Sequence, residues 1–157
     1  MININLILGN IFKETSLEST NFEKLIISRI DLEKRILRKK TDLGTDIGIN
    51  LNSSTKLQHG DIIGNGETKI IVEQMPEKVI SVKLKENNEK IAILLGHIIG
   101  NRHRPIAIKD KMILFPIQED SELEIFQRLL KEIIDHIELK IEEEIFLPHT
   151  SADVHEH

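Results

Sequence analysis

The sequence contains no cysteine, no tryptophan and no tyrosine among its 157 residues. The lack of cysteine excludes disulfides, thiolate metal ligands, iron–sulfur clusters and cysteine catalysis. Any metal site in this chain must therefore use histidine, carboxylate or water ligands. Aromatic residues make up only 3% of the chain, so isoleucine, leucine and valine must build the core.

Several functional classes are disfavoured by what is missing. The formal net charge of −5 argues against general nucleic-acid binding, because neutralising phosphates needs a surplus of basic residues. The longest apolar run, residues 91–100, is far shorter than the ~20 residues that span a bilayer, and residues 1–10 lack a positively charged leader. The sequence also lacks a P-loop and the common dinucleotide-binding and zinc-protease motifs. We therefore expect a cytoplasmic, non-enzymatic protein that binds neither nucleic acid nor membrane.

A change of pattern at Met75–Glu77 divides the chain. Before it, turn signals separate short alternating stretches, which predict an all-β domain over residues 1–76. After it, the order strand, helix, strand, strand, helix, strand predicts a ferredoxin-like βαββαβ domain over residues 77–147. The predicted fold class is thus α+β. Residues 148–157 are polar and aperiodic, which predicts a flexible tail containing histidines.

Two helices are predicted in the second domain. The first follows a cap at Asn87 or Asn88, and its apolar stripe comprises Ile91, Leu94, Leu95 and Ile98. The second follows a capping box formed by Ser121 and Glu124. Its apolar stripe is longer and comprises Phe126, Leu129, Leu130, Ile133, Ile134 and Ile137. A last strand is expected over residues 139–146.

The first predicted helix carries small residues every four positions, at Ala92, Gly96 and Gly100. A glycine inside a helix costs ~1 kcal/mol relative to alanine, so the pattern needs a packing reason. That reason is close approach of another backbone, either the sheet beneath the helix or a second copy of the helix. If this flank is a dimer interface, two His103 side chains meet near the two-fold axis.

Two converging imidazoles suit Ni(II), Cu(II) or Zn(II), whereas one is a poor metal site. The tail residues His155 and His157 would complete the ligand shell together with water. The alternatives are a helix-end charge for His103 and a solvated tail or a tag remnant for the other two. Three other histidines have simpler interpretations. His59 is interpreted as a turn residue, His97 as a core or interface residue, and His136 as a helix-end charge.

A basic segment lies in the first domain and comprises Lys34, Arg35, Arg38, Lys39 and Lys40. Such a run is usually a solvated strand face or turn, and otherwise a docking surface for an acidic partner. The segment therefore supports an alternative function, a metal-independent protein-interaction adaptor. An acyl phosphatase using Arg102 and Asn101 is disfavoured, because adjacent residues at a helix end point in different directions. Arg102 is instead interpreted as holding the helix end or neighbouring carbonyls.

Residues 100–105, GNRHRP, resemble the G-N-R-H-x-P signature of the UreE family, urease accessory proteins that act as nickel metallochaperones. The likeness extends in order and spacing over residues 30–117. It includes a basic strand with a glycine-turned hairpin, the segment TKLQHGDII with its L-x-x-G-D pattern, and the joint MPEKVISVK.

The resemblance implies a homodimer with an N-terminal peptide-binding-like β domain and a ferredoxin-like C-terminal domain. It implies that His103 of each protomer binds Ni(II) at the dimer interface, with Zn(II) or Cu(II) as competitors. It also implies that tail histidines help to pass the metal to the urease-activating GTPase and its accessory complex. Where the family commonly has F-x-P-E, Pro148 is followed here by His149, which we add as a candidate ligand.

Overall fold

The computed structural model describes residues 1–13 and 22–149. The chain divides into two compact units, Met1–Met75 and Pro76–His157, and the boundary predicted from sequence lies after Pro76. Each unit has its own hydrophobic core, aliphatic in the first unit and including Phe115 and Phe126 in the second. In the described ranges, no helix is both long and apolar enough to cross a membrane. The tail histidines His155 and His157 lie outside the described residues.

The first unit contains two β-sheets around one core. Its strands in chain order are β1 (Ile2–Ile4), β2 (Leu6–Asn10), β3 (Glu23–Ile27), β4 (Ile36–Lys40), β5 (Asp46–Asn50), β6 (Asp61–Gly64) and β7 (Lys69–Gln74). One sheet has the order β1-β5-β4 and the other β2-β6-β7-β3. The predicted alternation of apolar and polar residues is confirmed along β5, because Ile47 and Ile49 are buried while Asn50 is exposed.

The prediction of a purely β first domain is wrong at one point. A one-turn helix, α1 (Arg29–Leu32), follows β3. The helix begins because the Ser28 hydroxyl accepts a hydrogen bond from the Asp31 backbone N–H at 3.2 Å, which caps the turn. The fold is therefore mixed α+β, with sheets predominating.

The second unit pairs helices with a single sheet. Its elements are β8 (Glu77–Leu84), α2 (Glu89–Gly100), β9 (Ala107–Lys109), β10 (Met112–Pro116), α3 (Glu122–Leu129) and β11 (Ile137–Glu144). The sheet order is β11-β8-β10-β9, and each neighbouring pair is antiparallel. One face of the sheet, with Ile80 and Phe115, packs against Leu95 of α2 and Phe126 of α3.

Helix α2 begins as predicted from its cap. The Asn88 side chain accepts a hydrogen bond from the Ile91 backbone N–H at 3.2 Å. The helix then buries Ile91, Leu95 and Ile99 on one side, so its opposite side faces away from the sheet. Of the predicted stripe, Ile91 and Leu95 are buried, whereas Leu94 and Ile98 are half-buried. Periodicity thus located the helix and two members of its buried stripe.

Helix α3 is shorter than predicted and starts differently. It ends at Leu129, a 3₁₀ turn spans Ile134–His136, and β11 begins at Ile137. Ser121 makes no capping hydrogen bond, so the predicted capping box is wrong. The Glu122 carboxylate accepts from the backbone N–H groups of Gln118 and Glu119, at 2.6 and 3.2 Å, and so holds the loop that leads into α3.

After β11 the chain crosses the sheet face opposite the helices. Phe146 is 1% exposed and packs against Val79 of β8 and Leu114 of β10. The His149 backbone N–H then donates to the Ile106 carbonyl at 2.7 Å, just before β9. Because β11 and β9 are the two edges of the sheet, residues 145–149 run from one edge to the other.

Candidate functional site

His103 lies in a tight turn just beyond the C-terminal end of α2. The Arg102 backbone N–H donates to the Ile99 carbonyl at 3.0 Å, and the His103 N–H donates to the Gly100 carbonyl at 3.1 Å. His103 has a φ of +53°, in the left-handed region that costs an L-residue about 1–2 kcal/mol. The residue is exposed. The turn thus presents an imidazole at the surface in a backbone conformation that must be held by its surroundings.

The small residues of α2 lie on its exposed side. Ala92, Gly96 and Gly100 are exposed, and a Cβ added to either glycine would meet no described atom within 4 Å outside the helix itself. The unit's own sheet is therefore not the backbone that these glycines approach. Ile93, an adjacent residue on this side, is 71% exposed. A second copy of the helix remains the predicted neighbour of this flank.

His97 shares this exposed side of α2. Its Nε2 lies 3.4 Å from the Nδ2 of Asn101, one helical turn away. The core alternative for His97 is therefore wrong, because the buried stripe runs along the other side of the helix, and the interface alternative stays a prediction. His136, by contrast, lies on a 3₁₀ turn and pairs through Nδ1 with Glu86 Oε1 at 2.8 Å.

Arg104 fixes the segment that follows His103. Its Nη1 donates to the Pro116 carbonyl at 3.0 Å, and its Nη2 pairs with Glu122 Oε1 at 2.5 Å. The guanidinium carbon lies 5.2 Å from the centre of the Phe126 ring, within cation–π range. The guanidinium therefore ties the His103 turn to the end of β10 and the start of α3. Sequence reasoning assigned neighbouring carbonyls to Arg102, but the observed carbonyl contact belongs to Arg104.

Glu122 is the acidic partner in this cluster. Burial acts to raise its pKa, but the Gln118 backbone N–H, the Arg104 guanidinium and the Glu119 backbone N–H together hold the pKa below its ordinary value. Glu122 is therefore a carboxylate at neutral pH, and its charge balances that of Arg104. Sequence reasoning missed this pair because residue 104 occupies the variable x position of G-N-R-H-x-P, which gives no signal.

The C-terminal segment approaches the same region. The hydrogen bond from the His149 N–H to the Ile106 carbonyl brings the backbone of this candidate ligand beside the segment that follows His103. Among residues 1–13 and 22–149, no group of three or more histidine, aspartate or glutamate side chains is arranged to hold a metal. His103 and His149 therefore stay predicted ligands.

The basic segment is exposed but partly neutralised. Its five members are exposed in the structure: Lys34, Arg35, Arg38, Lys39 and Lys40. Lys34 and Lys39 pair with Asp31 at 2.7 and 3.2 Å, and hydrogen bonds from these two ammonium groups lower the pKa of Asp31. Arg38 pairs with Asp46 at 2.7 Å. Part of the positive charge is thus balanced within the first unit.

A groove of about 730 Å³ lies on the outer face of the β1-β5-β4 sheet. Asn3, Gly48 and Arg38 form one row across this face, because β1 and β4 both pair with β5 at Gly48. Ile36 and Asn50 form the neighbouring row. The groove therefore combines amide groups, one guanidinium and an exposed isoleucine.

The L-x-x-G-D pattern builds a turn in the first unit. Gly60 has a φ of +87°, which favours glycine. Buried Asp61 accepts a hydrogen bond from the Asn10 amide at 2.9 Å, and His59 Nδ1 accepts from the Gln74 N–H at 3.1 Å. The interpretation of His59 as a turn residue agrees with this role in holding the fold.

Comparison with known proteins defines the class. A family model described as the N-terminal domain of the UreE urease accessory protein matches residues 4–74. The urease accessory protein UreE of Staphylococcus epidermidis is 38% identical over 111 residues, 71% of this chain and 70% of the relative. That of Geobacillus kaustophilus is 34% identical over 115 residues, 71% and 74% of the two chains, and that of Streptococcus vestibularis 28% identical over 145 residues, 92% and 93%.

These matches indicate an accessory protein and not an enzyme. The chain belongs to the UreE family of urease accessory proteins. Membership agrees with the resemblance seen in the signature at residues 100–105.

Proposed function

We propose that this protein is a nickel metallochaperone that binds Ni(II) between two copies of the chain and delivers it for urease assembly. Family membership supports the accessory role. The observation that carries the metal proposal is the exposed His103, held in a left-handed turn at the end of α2. Strained backbone at an exposed imidazole is typical of a site that the surrounding structure maintains for a function.

The proposed site is shared because a dimer doubles the ligand count. In a two-fold dimer the same surface meets itself, and the flank of Ala92, Gly96 and Gly100 allows two helix backbones to approach closely. Association there would also cover the exposed Ile93. His103 follows this flank directly, so two imidazoles would converge. Such a pair suits Ni(II), Cu(II) and Zn(II) alike, and the family resemblance is what supports Ni(II) with the other two as competitors.

We also propose that the second unit has the ferredoxin-like arrangement. Support comes from the element order β8-α2-β9-β10-α3-β11 and from the antiparallel sheet order β11-β8-β10-β9. Both helices contribute to the core on one face of that sheet. This arrangement leaves the outer side of α2 available to a second copy.

The C-terminal histidines are proposed as additional ligands. Support comes from the backbone hydrogen bond of His149 to Ile106, three residues beyond His103. From His149, the six residues to His155 extend at most ~20 Å, so that His155 and His157 have a limited range around this point. Imidazole and water ligands would leave the site open, which delivery of the metal requires.

The proposed recipients are the urease-activating GTPase and its accessory complex. The groove beside Arg38, together with Arg35 and Lys40, offers a surface for an acidic segment of such a partner. The same surface favours the second candidate, a metal-independent adaptor. That candidate gains support if metal-free protein and the His103→Ala variant both bind the accessory complex with full strength.

Calorimetric titration of the metal-free full chain with Ni(II) tests the central proposal. His103→Ala should lower nickel affinity at least ~10-fold, because a ligand is removed. His136→Ala is the matched control, since it removes an exposed histidine that pairs with Glu86, and it should leave affinity unchanged. Unchanged affinity in the His103 variant would remove the metal proposal. Sedimentation should show a dimer, and a strictly monomeric protein with and without nickel would exclude the shared site.

A further inference from the structure

We infer that Arg104 and Glu122 are positioning residues, whose ion pair holds the His103 turn and thereby sets the nickel affinity of the protein. The inference rests on the proposed function, since positioning has a meaning only if His103 binds metal. Within the signature G-N-R-H-x-P, residue 104 is the position that the pattern leaves variable. The ion pair of Arg104 and Glu122 is therefore a feature of this chain and not of the signature.

The turn is fixed on its two sides by different means. On the helix side, backbone hydrogen bonds from Arg102 and His103 close the last turn of α2. On the other side, the guanidinium of Arg104 contacts the Pro116 carbonyl and Glu122. A swing of His103 into a more favourable backbone region would have to break these two charge-assisted hydrogen bonds.

Glu122 is a rigid anchor and not a mobile surface charge. Its side chain is 16% exposed, and its second oxygen accepts from the backbone N–H groups of Gln118 and Glu119. Three donors, the Arg104 guanidinium and two backbone N–H groups, thus fix one carboxylate at the start of α3. The stem of Arg104 is also restrained by the ring of Phe126.

If Arg104 acted only through its charge, its removal would change the nickel affinity in the opposite direction. Arg104 places a cation one residue from the proposed ligand of a dication, so removing this charge should strengthen nickel binding if electrostatics dominated. A positioning role predicts that removal weakens binding, because the imidazole then samples unproductive orientations. Loss of a residue that orients a metal ligand typically lowers affinity about 10–100-fold. The sign of the change therefore separates the two explanations.

The test is calorimetric titration of Ni(II) into the metal-free full chain, for the wild type, Arg104→Ala and Arg102→Ala. Arg102→Ala is the matched control, because it removes the same charge from the other neighbour of His103, an exposed residue outside the described ion pair. We expect Arg104→Ala to lower affinity about 10-fold or more, and Arg102→Ala to leave it unchanged or raise it.

Two further variants distinguish positioning from loss of folding. Glu122→Gln should also weaken nickel binding, and the double variant with Arg104→Ala should be no weaker than the more affected single variant, because both changes remove one shared contact. Arg104→Lys retains the charge and should restore part of the affinity. Circular dichroism at the titration temperature confirms that each variant is folded, and Glu122→Gln with Arg104→Lys carries the test if Arg104→Ala does not fold.

The outcomes separate the inference from the proposed function. If the wild type binds nickel, His103→Ala does not, and Arg104→Ala binds as the wild type does, the positioning inference is overturned and the proposed function stands. Equal weakening by Arg102→Ala also overturns the inference. If the wild type fails to bind nickel, or His103→Ala binds equally well, the proposed function itself fails.

Discussion

Replacing His103 by alanine and by glycine should separate the metal-binding role of the side chain from the strain of its backbone. Both variants lack the imidazole, so both should lose nickel binding. They differ in how they tolerate the φ of +53° at this position. The comparison between the two variants therefore reports the backbone conformation directly, with metal binding removed from both.

The expected difference follows from the left-handed conformation. Alanine keeps the Cβ and hence the cost of about 1–2 kcal/mol that this region imposes on an L-residue. Glycine removes that cost. Its greater conformational freedom also favours the unfolded chain, however, which lowers the stability of the protein by roughly 0.4–1 kcal/mol. We expect the glycine variant to be more stable than the alanine variant by about 1 kcal/mol. In a helix or strand the order is reversed, with glycine less stable by roughly 0.5–1 kcal/mol.

The assay must report on the second unit, because each unit has its own core. The chain has no tryptophan or tyrosine, so urea unfolding of the metal-free variants is best followed by far-ultraviolet circular dichroism. Hydrogen exchange of the buried Leu95 and Ile99 amides in α2 assigns the transition to the correct unit. An alanine variant that is more stable than the glycine variant would refute the left-handed turn and the reasoning built on it.

Three further predictions concern other residues. Gly96→Ala should stabilise the monomer by roughly 0.5–1 kcal/mol in denaturation while weakening self-association in sedimentation; unchanged association would contradict an interface on this flank. The lowered pKa of Glu122 means that its carboxylate contributes stability that is present above the unfolded value of ~4.3 and is lost as pH falls through the folded pKa. The stability difference between wild type and Glu122→Gln should therefore shrink below pH ~4.3, and a difference independent of pH would contradict the shift. Phe146→Ala should cost about 3–5 kcal/mol and expose the His149 amide to exchange, whereas Leu147→Ala, at a residue 56% exposed, should change stability by less than ~0.5 kcal/mol.

Capping residues and apolar spacing predicted an element correctly where the pattern arises within that single helix or strand. Asn88 caps α2, and Ile91 and Leu95 of the predicted stripe are buried. The end of α3 was not predictable in this way, because buried Leu130 and Ile133 continue the apolar spacing after the helix has ended at Leu129. Hydrophobic spacing records which residues are buried and does not record whether the backbone between them remains helical.

The candidate site was predictable in its ligand but not in its support. His103 follows from the signature at residues 100–105, whereas its left-handed backbone carries no signal in apolar periodicity. The pair of Arg104 and Glu122 joins residues 18 positions apart, and it forms only once α3 packs on the sheet.

The path of residues 145–149 across the sheet affects how readily the later histidines reach the proposed metal site. Because the His149 backbone is bonded to Ile106, any residue that follows it starts from an anchored point near the His103 turn. Ligands on such a tether bind as if present at a high effective concentration, on the order of millimolar for short flexible connections, which falls as the connection lengthens. Inserting glycine and serine residues after His149 should thus dilute the later histidines around the metal while leaving the folded units intact.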